Sequence, residues 1–311
     1  MKAARVTSWG SPPEYIDVAD LPAPSDNQLQ LKVLAAGIPR VVKARASGKH
    51  PSSFNSPLPY DPSIDGVGLD EATGNLYFIN SLAAAVFAER ANVNKDQLTS
   101  LPAGADPVSV AALINPTMSS WLALQCRAIG GCKGRTVAII GATSASGRLA
   151  VHVARELGAA SVVGLSRNEE TLATVEGLDE RVVLKNPLTL PSSVGPIDIV
   201  LDYVGGPAGV ELMKVAEIAR GQNLQYIQIG GLAGEESLVL PARLLNVRPI
   251  RVMASGIGSV TMQELKREIC RLVELVSRLT VPFEVHAFSM SDVHAVWQSQ
   301  QAQGKRLVLI P

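Results

Sequence analysis

Between residues 136 and 157 the chain passes from a continuous apolar run to a glycine turn, and then to apolar positions spaced three and four apart. Val137, Ala138, Ile139 and Ile140 form the run expected of a parallel strand buried on both faces, and Gly141 ends it. Leu149, Val153 and Leu157, with Ala150 and Ala154 beside them, then put one apolar stripe on a helix, which Gly158 caps. Ser161-Val-Val-Gly-Leu165 follows after a short turn and completes a βαβ unit. Further apolar runs at 182–184, 197–201, 226–229 and 250–253, separated by glycine, proline or helical stretches, predict a doubly wound parallel sheet. The N-terminal third is different, rich in proline and in short alternating runs such as Leu29-Gln-Leu-Lys-Val-Leu34. That shift marks a boundary near Asn115-Pro116. The closing segment 304–311 reads as a last strand able to return to the first domain.

The turn at 141–147 carries candidate chemistry. Its backbone N–H groups and those of the helix start converge on one place, where the helix dipole also favours negative charge, so a pyrophosphate fits there. The spacing Gly141-x-x-Ser144-x-x-Gly147 departs from G-x-G-x-x-G, and a strand, turn and helix without a ligand is the alternative. After the second strand, where an NAD site carries a carboxylate for the ribose 2′-OH, the chain has Ser166-Arg167-Asn168. Arg167 can pair with a 2′-phosphate and Ser166 can donate to it, which predicts NADPH over NADH; the alternative is a solvated arginine.

Composition narrows the class. The 311 residues hold 28 Lys and Arg against 28 Asp and Glu, so no broad attraction to nucleic acid or an anionic membrane is expected. The longest uncharged stretch, 107–126, contains Asn115, Pro116, Thr117, Ser119 and Ser120 and is too polar for a membrane span; it reads as buried structure between domains. The N-terminus lacks the apolar core of a signal peptide. Cys126, Cys132 and Cys270 give no disulfide framework, so a reducing, cytoplasmic setting is expected.

Several short segments, in this order, carry a resemblance: Met1-Lys-Ala-Ala, Ala35-Ala-Gly-Ile38, Asp65-Gly-Val-Gly68, Phe87-Ala-Glu-Arg90, Asn115-Pro-Thr-Met-Ser-Ser-Trp121, Asp198-Ile-Val-Leu-Asp-Tyr-Val-Gly-Gly206, Ile229-Gly-Gly231 and the terminal Gly-Lys-x-Leu-Val-Leu-x-Pro. Over nearly its whole length the chain resembles the medium-chain dehydrogenase/reductase superfamily, in particular its zinc-independent quinone oxidoreductase and enoyl reductase branch. The resemblance implies an α/β protein: a GroES-like β-rich barrel domain (1–114 with 285–311) plus a Rossmann doubly wound parallel-sheet domain (115–284), with a substrate cleft where they meet. It also implies NADPH-dependent reduction of an activated alkene (enone or enal) or a quinone. By position, Gly141, Ala142, Thr143, Ser144, Ala145, Ser146 and Gly147 form the pyrophosphate turn, with Ser144 in place of the usual middle glycine and bringing a hydroxyl near phosphate. Ser166 and Arg167 match the 2′-phosphate position, Val204 and Gly205 the loop approaching the cofactor, Gly230 and Gly231 the nicotinamide side, and Thr117 a threonine at the domain junction. Asn115 holds the nicotinamide ribose or caps a helix. The run at 250–253 resembles an edge strand that family members pair across a two-fold axis, which implies a homodimer.

Hydride is the cofactor's to give, so the protein must place a donor at the acceptor's carbonyl oxygen. His50 stands where the branch often has a tyrosine and can polarise an oxygen and pass on a proton, or it is a loop histidine before Pro51. Tyr60 lies on a loop facing the cleft in the family pattern, or packs that loop. Pro39 and Val42 replace the family's asparagine and aspartate, with Arg40 between them, which implies a bulkier or less polar acceptor. Zinc chemistry is not expected: Cys126, Cys132 and His152 do not match the family's zinc positions, and a catalytic site needs about three ligands. Other readings are an NADPH-binding protein with little turnover and a non-redox biosynthetic enzyme on the same fold. Asp198 and Asp202 bracket one strand and read as structural residues at its ends.

Overall fold

The computed structural model describes residues 1–234, 237–256, 258–299 and 305–311. Its elements begin with β1 (Lys2–Arg5), β2 (Glu14–Asp17), β3 (Gln28–Gly37), α1 (Arg40–Ala46), β4 (Gly66–Leu69), β5 (Leu76–Ile79), β6 (Arg90–Asn94) and β7 (Leu98–Ser100). Next come α2 (Pro107–Leu122), β8 (Thr136–Ile140), α3 (Ala145–Glu156), β9 (Ser161–Ser166), α4 (Glu169–Ala173) and β10 (Glu180–Val183). Then follow β11 (Ile199–Asp202), α5 (Pro207–Val215), β12 (Leu224–Gln228), α6 (Ala242–Val247) and β13 (Ile250–Ala254). The chain finishes with α7 (Met262–Arg278), β14 (Val285–Ser289), α8 (Val293–Trp297) and β15 (Arg306–Ile310). Two compact units result, Met1–Asn115 with Ile269–Pro311, and Pro116–Glu268.

The first unit is built on a sheet in the order β14-β15-β3-β4-β5-β7, with β6 also on β3. Alternation in β3 turns Leu31, Val33 and Ala35 inward and leaves Lys32 exposed, as a half-solvated strand requires. Leu31 and Val33 join Phe87, Ile79 and Leu309 in one core. β15 pairs antiparallel with β3 through Val308 and Gly37, so the closing strand belongs to the sheet of the first hundred residues. Gly304, at the start of the segment expected to form it, lies outside the described residues.

The segment around Asn115 departs from the sequence reading. Asn115 cannot cap a helix, because α2 begins eight residues earlier at Pro107, where Asp106 accepts the Ser109 N–H at 2.9 Å. The helix continues through Pro116, which has no N–H to offer the Ala112 carbonyl one turn back. Arg306 fills that gap, its Nε donating to the Ala112 oxygen at 2.9 Å. The same guanidinium faces Asp65, which is 1 % exposed and makes no well-formed hydrogen bond. Burial pushes the Asp65 carboxyl up to about 7, against the opposing pull of Arg306 and the neighbouring Asn115 amide. Burial likewise pushes Arg306 down to about 10.

In the second unit six parallel strands take the order β10-β9-β8-β11-β12-β13. This is the Rossmann order, with its reversal between β8 and β11, where ligands bind beyond the carboxyl ends of the strands. Val137, Ala138, Ile139 and Ile140 are all fully buried, matching the uninterrupted apolar run. α3 buries Leu149, Ala150, Val153 and Ala154 as its stripe predicts, but Leu157 is only half-buried. Val151, off the stripe, is buried because Gly177 of a later segment lies against it. β13 forms the edge of the sheet and exposes Arg251, Val252 and Ala254.

Candidate functional site

Gly141 leaves β8 with φ +88°, a conformation that side chains disfavour, and starts the turn into α3. Its N–H donates to the Leu165 carbonyl at 2.9 Å, fastening the turn to β9. Ser144 is the N-cap of α3: its Oγ accepts the Gly147 N–H at 3.0 Å and donates to the Gly141 carbonyl at 2.8 Å. The hydroxyl expected near phosphate is therefore occupied within the turn, since the helix needs a cap at the position where it begins. The amides of Ala145 and Ser146 lie in the first turn, where a helix offers no internal acceptor. Gly147 brings the helix against the strand: a Cβ there would stand 2.2 Å from the Gly141 oxygen and 2.7 Å from the Ala142 Cα.

In front of this turn lies a cavity of about 640 Å³ whose wall includes Gly141, Thr143, Ser144, Ser166, Arg167 and Val204. Its volume falls within the ordinary range of small-molecule sites. Ser166 is 8 % exposed and shares a 3.1 Å hydrogen bond with the Thr143 hydroxyl. Arg167 is exposed and makes no ion pair among the described residues. Val204 and Gly205 are held by Asp202, whose Oδ1 accepts both of their N–H groups at 2.7 and 2.9 Å while its Oδ2 accepts the Tyr226 hydroxyl at 2.6 Å. Asp198 accepts the Thr136 N–H at 2.8 Å, so each of these two aspartates fixes backbone at its end of β11. Gly230 is tied to the Asp202 carbonyl at 3.1 Å and lies beside Gly205, while Gly231 has open space around its Cα. Neither glycine is in the cavity wall, and Ala142 is wholly buried. Thr117 is wholly buried in α2, and its carbonyl accepts the Ser120 hydroxyl. Lys185 and Glu211 also line the cavity and were not singled out by the sequence reading. For Lys185 the signal was position: it lies two residues beyond β10, at the carboxyl end of the parallel sheet.

The other candidates lie in the first unit. His50 caps the short turn Pro51–Ser53, its Nδ1 accepting the Ser52 N–H at 3.2 Å and standing 2.8 Å from the Ser52 hydroxyl. That hydroxyl accepts from Arg45 Nη1 at 2.5 Å, so it donates to Nδ1. Burial, and then the nearby Arg45 charge, hold the His50 pKa below 6.5. The neutral ring, its Nδ1 engaged as acceptor, carries its proton on Nε2. Arg45, unremarked in the sequence, organises this corner: it is 6 % exposed, donates to the Pro62 carbonyl at 3.0 Å and lies 5.3 Å from the Tyr60 ring centre. Tyr60 is packed between that guanidinium and Trp9, whose ring centre is 5.2 Å away, and burial raises its pKa. This geometry favours packing for Tyr60. Arg40 is exposed at the start of α1. Val42 is wholly buried in the core and lines no surface; the apolar residue there serves packing against its neighbours.

Among the described residues no three His, Cys, Asp or Glu side chains gather as metal ligands, and no helix is long and apolar enough to cross a membrane. The Rossmann-ordered sheet with its glycine turn and cavity defines a nucleotide-binding domain, and its relatives make the chain an oxidoreductase of the medium-chain dehydrogenase/reductase class. Within that class the chain belongs to the quinone oxidoreductases. It is 43 % identical, over the full length of both chains, to the probable NADPH-dependent quinone reductase tdiC of Emericella nidulans. It is 34 % identical to the quinone oxidoreductase of Sus scrofa over 74 % of this chain and 71 % of that one. The quinone oxidoreductase of Thermus thermophilus, solved alone and with NADPH, matches with a TM-score of 0.78 at 25 % identity over all of both chains. No family model matches the sequence.

Proposed function

We infer that this chain is an NADPH-dependent oxidoreductase that reduces a quinone or a carbonyl-conjugated alkene. The observation that carries this reading is the cavity at the end of β8 and β9, which joins a helix N-terminus to a cation in place of the acidic residue of an NAD site. Gly141, Thr143 and Ser144, with the amides of Ala145 and Ser146, would hold the pyrophosphate. Ser166 and Arg167 would hold the 2′-phosphate, Val204 and Gly205 would bound the nicotinamide half, and Gly230 and Gly231 would support that loop. Asn115 and Thr117 are assigned to the same cofactor as residues that shape its surroundings. When bound, NADPH supplies the hydride.

The chain's own task is to stabilise the charge that grows on the acceptor's oxygen. We propose His50 for it: its Nε2–H is the free donor of a ring whose other nitrogen is fixed by Ser52. Arg45 acts through Ser52 as a positioning residue. A neutral imidazole suits the task as a hydrogen-bond donor to that oxygen, and the proton that completes the reduction comes from solvent. We propose that this donor acts without zinc.

Isothermal titration of wild type and Arg167→Ala with NADPH and NADH tests the cofactor assignment. Loss of one charge-assisted contact at an exposed site is expected to weaken NADPH roughly tenfold and to leave NADH unchanged. Equal NADPH affinity in both proteins would remove Arg167 from the site. We further propose a homodimer paired along β13, since an unprotected edge strand invites association. Light scattering should give twice the mass of one chain; the mass of one chain would exclude it.

A further inference from the structure

We propose that Lys185 is a second cation for the cofactor's 2′-phosphate, a specificity determinant that shares a cavity wall with Arg167. The proposal rests on the NADPH reading above. β9 and β10 run parallel with Val183 opposite Ser166, and the Leu184 N–H donates to the Ser166 carbonyl at 2.8 Å. Arg167 therefore leaves its strand level with Leu184, Lys185 follows one residue later, and Ser166, Arg167 and Lys185 all line the same cavity.

Charge points the same way. Lys185 is exposed and, like Arg167, makes no ion pair among the described residues. The carboxylate in the cavity wall, Glu211, is already paired with Lys214 at 2.6 Å. Glu169 and Glu170 follow Arg167 in the first turn of α4, are exposed, and do not line the cavity. A phosphate monoester carries roughly −1.5 to −2 charges near neutral pH, which a single arginine leaves partly unbalanced. Arg167 can meet it with a planar fork and Lys185 with a compact point charge. A single solvated lysine elsewhere on the surface would have no such neighbour or cavity.

The test is titration of NADPH and NADH into wild type, Lys185→Met, Lys185→Glu and Lys185→Arg, with thermal melting to check the fold. Lys185→Met should weaken NADPH about fivefold and NADH not at all, with the difference shrinking as salt is raised. Lys185→Glu should weaken NADPH further, and Lys185→Arg should restore most of the affinity. A wild-type preference for NADPH that survives intact in Lys185→Met overturns the assignment of Lys185 and leaves the cofactor reading standing. Equal wild-type affinity for the two dinucleotides overturns both.

Discussion

Valine at position 147 will leave the chain unable to hold NADPH. The first atom of any side chain there would sit 2.2 Å from the Gly141 oxygen and 2.7 Å from the Ala142 Cα, and both obstacles are backbone. No rotamer change can relieve such a contact. The helix must lift from the strand, and with it goes the Ser144 cap, whose acceptor oxygen is set by the Gly147 N–H. Overpacking alone costs about 1–3 kcal/mol, and here the displaced element is also the ligand's cradle. Titration of Gly147→Val should show NADPH binding weakened at least ~100-fold, about 2.7 kcal/mol, with a lowered melting temperature. Unchanged NADPH affinity in Gly147→Val would mean that the helix does not rest on the turn as described.

Removal of the His50 imidazole is expected to lower kcat by about 10²-fold, the ordinary contribution of one hydrogen-bond donor aimed at a developing oxyanion, without changing NADPH affinity. His50→Gln, which keeps a donor at a similar reach, should recover part of the loss. Ser52→Ala should cost less than either, since it removes the hydroxyl from Nδ1 but leaves the backbone N–H of residue 52 donating to it. The pH profile carries a sign that a structural role would not produce. Burial and the Arg45 charge both favour the neutral ring, so kcat should be level through neutrality and change only below about 6.5, the ordinary histidine value. In His50→Gln that limb should vanish. A His50→Ala enzyme with wild-type kcat would place the donor elsewhere and return His50 to the role of turn cap.

The parts of the site that were legible in the sequence are those with a period. The apolar run of β8, the three-and-four spacing of α3 and the short link to β9 each follow from burying one face, and the residue after β9 follows from where ribose lies in such a unit. Arg167 could be singled out for that reason. Contacts made across long stretches of sequence were not legible. Val42 looked like a change in a substrate wall, but only the assembled core reveals that no surface reaches it. Asn115 was open to reading as a helix cap because asparagine is a preferred one, but the helix runs on through Pro116, and Arg306 takes the orphaned carbonyl from nearly two hundred positions away. Arg45 and Lys185 escaped notice because a lone basic residue has no pattern; their meaning comes from Ser52 in one case and from a cavity wall shared with Arg167 in the other. Ser144 was seen as the irregular member of the turn, and its job as a cap was set by which residue begins the helix.

The central claim is that the site transfers reducing equivalents to an acceptor, and the most direct measurement is the loss of dihydronicotinamide absorbance when the protein, NADPH and a panel of quinones, enones and enals are mixed. The account predicts acceptor-dependent oxidation of NADPH, slower with NADH, and a product heavier than its acceptor by two hydrogens. Tight NADPH binding with no oxidation by any acceptor would contradict it and make the chain a cofactor-binding protein.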